Sequence, residues 1–87
     1  MKLTVISGYV DVPEEDRADF ACARPEHARL TNAEKGCQYF KVKAHPKIKG
    51  RYLVNEAFDD DAAYKAHLKR TQKTQWHKIT RNVKRSY

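Results

Sequence analysis

The stretch KLTVISGYV, residues 2–10, puts Leu3, Val5, Ser7 and Tyr9 on one face of an extended chain and Thr4, Ile6 and Val10 on the other. RYLVNEAF, residues 51–58, is likewise apolar on both sides. Strands of this kind need cover on two faces, and the segments around them supply little. DVPEEDRADF opens a helix: Pro13 suits the first helical position, and Glu14, Glu15 and Asp16 favour the positive end of the helix dipole. Phe20, Ala23, His27 and Leu30 recur at helical spacing as its inner stripe. Pro25 is expected to kink or split this helix, because it removes a backbone donor, and Gly36 to cap its end.

CQYFKVKAH, residues 37–45, reads as a second strand, and the turn formers and lysines of PKIKGR join it to RYLVNEAF as an antiparallel hairpin. DDDAAYKAHLKR opens a second helix. TQKTQWHKITRNV continues as another helical piece, with Trp76, Ile79, Thr80 and Val83 inward, and KRSY fits a last edge strand. The order β-α-β-β-α-β defines an α+β protein on the ferredoxin-like plan, an antiparallel sheet with its helices on one face. The second face then has no cover within the chain. A second copy is the simplest source of it, so a homodimer is expected.

With 87 residues the chain is read as one domain, residues 1–87. No apolar run approaches the ~20 residues that span a bilayer, so no membrane partner is expected, and the strand-like alternation at the start is unlike a signal peptide. Cys22 and Cys37 match no metal or redox spacing, which points to free thiols and a cytoplasmic setting. The charge is lopsided: residues 1–36 carry a balance of −2 and residues 37–87 one of +9, giving the net +7. A basic half raises the local concentration of anions, from nucleic acid to an acidic aromatic. Its lysines are scattered and lack interleaved aromatics. RYLVNEAF also lacks the aromatic pattern of an RNA-recognition strand, so a small aromatic or anionic ligand is expected and nucleic acid is not.

Several stretches resemble one family. EKGCQYFKV is similar to the E-x-G-C-x-x-F/Y-x-V entry into the second strand of the antibiotic biosynthesis monooxygenase (ABM) domain. RYLVNEAFDDDAAYKAHLKRT resembles its R-F-x-V-x-E-x-F/W-x-D-x-x-A-x-x-A-H run. Trp76, nine residues after His67, and the closing RSY resemble the quinol monooxygenase subgroup. The resemblance covers nearly the whole chain. It implies a ferredoxin-like monomer paired sheet to sheet into a dimeric α+β barrel, with a pocket between each monomer's helices and sheet. Many members oxidise quinols or polycyclic aromatics with molecular oxygen and neither flavin nor metal; others bind haem or isomerise small sugars.

Oxygenation without a cofactor requires a substrate that reduces oxygen once deprotonated, a base working near neutral pH, and a dry pocket. His67 is the candidate base: an unperturbed imidazole titrates near ~6.5, and the helical face it shares with Ala63 and Tyr64 points at the sheet. Trp76, Tyr64 and Phe58 are candidates for the flat apolar wall, with Asn55 and Ser7 as polar groups. Asn55 and Glu56 point to opposite faces of their strand, so only one of them can face the pocket. Glu56, which matches the family's glutamate, is read as a structural ion pair or barrel contact, and His27 and His45 as ordinary residues. His67 and Trp76 would also fit a core role. No H-x-x-x-H or C-x-x-C spacing occurs, so no metal is expected. The haem-degrading branch uses an asparagine, a tryptophan and a proximal histidine. At the matching positions stand Ser7, His67 and His77, so only the last is kept and haem is not expected. The resemblance therefore implies a cofactor-independent monooxygenase acting on a quinol or polyphenol. The alternative is a non-oxidative ligand-binding or isomerase member of the same dimeric barrel.

Overall fold

A computed structural model describes residues 2–87. The elements run β1 (Thr4–Asp11), a single 3₁₀ turn (Glu14–Asp16), α1 (Arg17–Asn32), β2 (Cys37–Ala44), β3 (Arg51–Phe58), α2 (Asp61–Thr71), α3 (Gln75–Ile79) and β4 (Lys84–Ser86). The four strands form one antiparallel sheet in the order β2-β3-β1-β4, the ferredoxin-like arrangement. No helix among the described residues is long and apolar enough to cross a membrane.

Pairing decides which side chains face the helices. Ile6 lies opposite Glu56, Gly8 opposite Val54 and Val10 opposite Tyr52, and across the next pair Phe40 meets Glu56 and Val42 meets Val54. Because directly paired residues share a face, this row carries the core: Val10, Phe40, Val42 and Val54 are buried together with Val12, Phe20 and Val83. The alternate row pairs Val5 with Ala57, Ser7 with Asn55 and Tyr9 with Leu53. On that outer side Val5 stays 58% exposed and Tyr39 39%.

Helix α1 departs from the sequence expectation at several points, the first being its start at Arg17, after the 3₁₀ turn that Pro13 precedes. It runs unbroken through Pro25, which is exposed, so the ring faces solvent and only one helical hydrogen bond is forgone. Its buried stripe is Phe20, His27 and Thr31, whereas Leu30 is exposed; three residues of α-helix fall 60° short of a full turn, which carries Leu30 off the inner line. The helix ends at Asn32, before Gly36. There Asn32 donates from Nδ2 to the Phe40 carbonyl and accepts from the Phe40 amide, both at 3.0 Å. Edge strand β2 would otherwise leave those two backbone groups unpaired, so one amide side chain both anchors α1 and blunts the edge.

At the core's centre Phe20, 1% exposed, packs with ring centroids 4.5 Å from Tyr52 and 4.8 Å from Trp76. Phe20→Ala should lower stability by about 3–5 kcal/mol in urea denaturation, since lost transfer energy and an unfilled cavity add. A loss below about 1 kcal/mol would show that Phe20 does not hold the two helices and the sheet together.

Candidate active site

Helix α2 begins at Asp60, whose carboxylate accepts from the Ala63 amide at 2.8 Å, and it presents Tyr64, His67 and Thr71 to the sheet at spacings of three and seven. His67 is 5% exposed. Its Nδ1 lies 2.6 Å from Glu34 Oε1. Glu34 sits in the turn after α1, fixed by its own amide donating to the Thr31 carbonyl at 3.0 Å. That turn approaches α2 closely because Gly36 has φ +90° and no side chain: a Cβ there would lie 2.8 Å from Ala63 Cβ.

Arg70, one turn beyond His67, completes the group. Its Nη2 donates to Glu34 Oε1 at 3.3 Å and to Thr31 Oγ1 at 3.2 Å, and its Nε stands 3.1 Å from Glu34 Oε2. Burial would raise the Glu34 pKa, but the hydrogen bonds from Arg70 and His67 outweigh it and hold the carboxyl below its usual range. An ionised Glu34 therefore accepts a hydrogen bond from His67 Nδ1–H, which fixes the ring and leaves Nε2 as the nitrogen turned towards the sheet. Across from it, 3.8 Å away, is Oε1 of the buried Glu56, on β3.

His67 and Glu56, with Glu34 and Arg70 outside the lining, border a cavity of about 320 Å³ between the helices and the sheet. Trp76 forms one wall, stacked flat on His27 with ring centroids 4.3 Å apart and an interplanar angle of 8°. Tyr64, Phe40 and Val54 supply further apolar surface, and Arg85 and Tyr87 at the chain's end also line it. Gly8 allows that last approach, since a Cβ on it would come within 2.1 Å of the Ser86 carbonyl oxygen. The volume is at the lower end of the roughly 300–1,000 Å³ usual for small-molecule sites, enough for a compact aromatic.

Of the residues expected from sequence, His67, Trp76 and Tyr64 meet in this cavity. Phe58 is buried behind it, its ring 5.1 Å from that of His67, and backs the imidazole without lining the space. Ser7 and Asn55 are not in it. They pair across β1 and β3 on the outer face, Ser7 Oγ donating to Asn55 Oδ1 at 3.0 Å, and Glu56 is the member of the Asn55–Glu56 pair that faces the cavity. His27, read as ordinary, is buried in the wall, whereas His45 serves its loop by accepting from the Lys47 and Ile48 amides. His77 lines the cavity from an exposed position on α3. No group of three or more metal-ligating side chains converges among the described residues.

The profile of the family described as antibiotic biosynthesis monooxygenase matches residues 4–79. Solved structures share the fold. One, from Deinococcus radiodurans and described as a putative antibiotic biosynthesis monooxygenase, has 23% identity and a TM-score of 0.78, covering 97% of this chain and 84% of its own. A protein of Nitrosomonas europaea with the same description has 17% identity and a TM-score of 0.76, covering 98% and 82%. A Bacteroides thetaiotaomicron protein described as of unknown function and a possible oxidoreductase has 19% identity and a TM-score of 0.66, covering 94% and 87%. At these identities the likeness establishes the fold. No curated protein matches the sequence.

The wall imposes a pH dependence on stability. Burial, with repulsion from His67 and Arg70, pulls the His27 pKa from 6.5 to about 3. A neutral His27 thus contributes stability that is complete above about pH 6.5 and is lost as pH falls towards 3. Glu56 acts in the opposite sense, because its raised pKa favours the folded state at low pH and is lost as pH rises from 4.5 to about 7. In His27→Phe, which keeps a ring against Trp76, the urea midpoint should fall less between pH 7 and pH 4 than in the parent chain. An equal fall in both would place the acid-sensitive group elsewhere.

Proposed function

The chain belongs to the antibiotic biosynthesis monooxygenase family, and we propose that it oxidises a quinol or related polyphenol with molecular oxygen, using neither metal nor flavin. The observation that carries this reading is a histidine oriented by an ionised carboxylate inside an aromatic cavity of the right size. His67 Nε2 takes a phenolic proton. The imidazolium so formed keeps its Nδ1 proton and donates it in a hydrogen bond to Glu34, whose charge Arg70 sustains. The resulting phenolate is electron-rich enough to reduce oxygen, while Trp76 and the apolar rows of the sheet hold its ring and keep water away. Haem fits the residues poorly: Ser7 faces the far side of the sheet from His67 and His77, so the three positions that matter in the haem-degrading branch do not converge.

The same proposal includes a homodimer. Leu3, Val5 and Tyr39 are 47%, 58% and 39% exposed; Val5 on β1 and Tyr39 on β2 flank the buried Ala57, and Leu3 lies just before β1. A second copy laid sheet to sheet would bury this row at roughly 25 cal/mol per Å² of apolar surface. Light scattering at micromolar concentration should give about twice the 10.2 kDa chain mass; a clean monomer would remove the dimer from the proposal.

His67→Gln tests the base. The amide preserves reach and hydrogen bonding, so the fold should survive, while oxygen uptake with a quinol at pH 7 should drop about a hundredfold or more, within the usual 10²–10⁴ worth of a general base. Higher pH should partly restore it, because more substrate is then already ionised. Trp76→Phe should mainly raise KM, since a wall binds ground state and transition state alike. A folded His67→Gln enzyme with full activity would transfer the base to another group.

A further inference from the structure

Glu56 is a buried carboxyl that the reaction above leaves without a part. It projects from the middle of β3, paired with Ile6 on one side and Phe40 on the other, and its side chain is 8% exposed. Among the described residues nothing hydrogen-bonds its Oε1. An ion pair with His67 would have answered that, but Nε2 stands 3.8 Å away, beyond bonding reach. Both atoms belong to residues that line the same cavity. An oxygen atom set about 2.8 Å from each would close the gap, its two bonds meeting at roughly 85°. A hydroxyl group has the donor and the lone pairs to fill that position.

The charge around Glu56 favours its neutral form. Burial raises its pKa from 4.5 to about 7, Glu34 adds to the rise, and Arg85 works against it. The titratable and charged groups facing it are His67 and Tyr64 on α2, Glu34 in the turn after α1, Cys37 on β2, and Arg85 and Tyr87 at the chain's end. A neutral carboxyl in an apolar site can donate a hydrogen bond to an anion where a carboxylate would repel it.

We propose that Glu56 and His67 form a two-point seat for one acidic hydroxyl of the ligand: the imidazole takes its proton, and the neutral carboxyl donates a hydrogen bond to the oxygen left behind. The proton leaves the ligand oxygen for Nε2, the Nδ1 proton stays on His67 and is donated to Glu34, and the carboxyl proton stays on Glu56. No bond of the ligand other than O–H is broken. The seat makes Glu56 a substrate-contacting residue and sets the ligand class: a phenol or enol, not an ether or an apolar ring. It rests on the monooxygenase reading only in taking the ligand to be phenolic, and it requires no oxygen chemistry.

The test uses 4-nitrophenol, whose absorption distinguishes phenol from phenolate, and 4-nitroanisole, which has no hydroxyl. At pH 6 the intact protein should bind 4-nitrophenol and shift its spectrum towards phenolate, with 4-nitroanisole binding at least tenfold more weakly. Glu56→Gln keeps a donor but cannot ionise. The affinity of the parent protein relative to this variant should be constant below pH 6 and fall about tenfold per pH unit well above 7. Glu56→Leu, lacking the donor, should weaken binding about 10–100-fold at pH 6, the worth of a hydrogen bond to a charged group. A flat ratio of parent to Glu56→Gln, equal binding of the two ligands, or no phenolate shift would each overturn the seat. Should Glu56→Gln fail to fold, the two-ligand comparison and the spectral shift decide on the parent protein alone. A phenolate shift without any quinol-dependent oxygen uptake would sink the monooxygenase and leave the seat standing; oxygen uptake with a flat ratio would do the reverse.

Discussion

Three helices of sixteen, eleven and five residues have to cover one face of a four-stranded sheet, and they do so unevenly. Helix α1 lies over β2, α2 reaches β3, and α3 packs against α1. The helices do not close over the middle of the sheet, and the cavity is the space that remains. Everything of chemical interest follows from that shortfall. The side chains bordering it are those whose elements converge there: Glu56 from below, His67 and Tyr64 from α2, His27 and Trp76 from the two other helices. A longer α3 would have filled the space with aliphatic core and left a stable domain with no site.

Alternation and helical spacing carry much of this in the sequence itself. RYLVNEAF matches β3 residue for residue, because both ends are marked, by a glycine before and aspartates after. His67 faces inward for the reason its spacing from Tyr64 gives. The same rule, applied strictly, separates Asn55 from Phe58: three residues apart on a strand, they must point to opposite faces, and Phe58 goes with Glu56. Ser7 is tied to Asn55 by register, and register comes only from pairing across the chain, which no local pattern reveals. Glu34 heads the EKGCQYFKV stretch, which does not say what Glu34 touches. It lies in a turn, outside any periodicity, and reaches His67 only because Gly36 lets two elements approach within the space of one methyl group. His27 had a signal, its seven-residue spacing from Phe20, which places it on the inner line of α1.

The buried polar groups add little to stability. Taking Glu34, Arg70 and His67 out of water costs desolvation that their mutual attraction roughly repays, and apolar side chains of equal volume would hold the fold as well or better. What the charges supply is direction. An imidazole free to rotate between Phe40, Phe58 and Tyr64 would present either nitrogen to the cavity. With Glu34 ionised and clamped by Arg70, only Nε2 faces the sheet.

Two neighbours of His67 are both pushed towards their uncharged forms. His27 has lost the proton it would hold in water at mildly acidic pH, and Glu56 keeps one it would lose. Burial drives both, in opposite directions, because in each case it disfavours the ionised form. The consequence is that the two side chains flanking the oriented imidazole favour their uncharged forms, with Arg85 as the cation of the lining. An anion formed on a bound ligand would meet the imidazolium and the Arg85 guanidinium and, below the pH at which Glu56 ionises, no carboxylate among the lining side chains. A cavity lined by free carboxylates would oppose that anion, and one lined by lysines would bind it ionised from solution and leave His67 no proton to take. The suppressed ionisation of His27 and Glu56 is therefore as much a part of the site as His67.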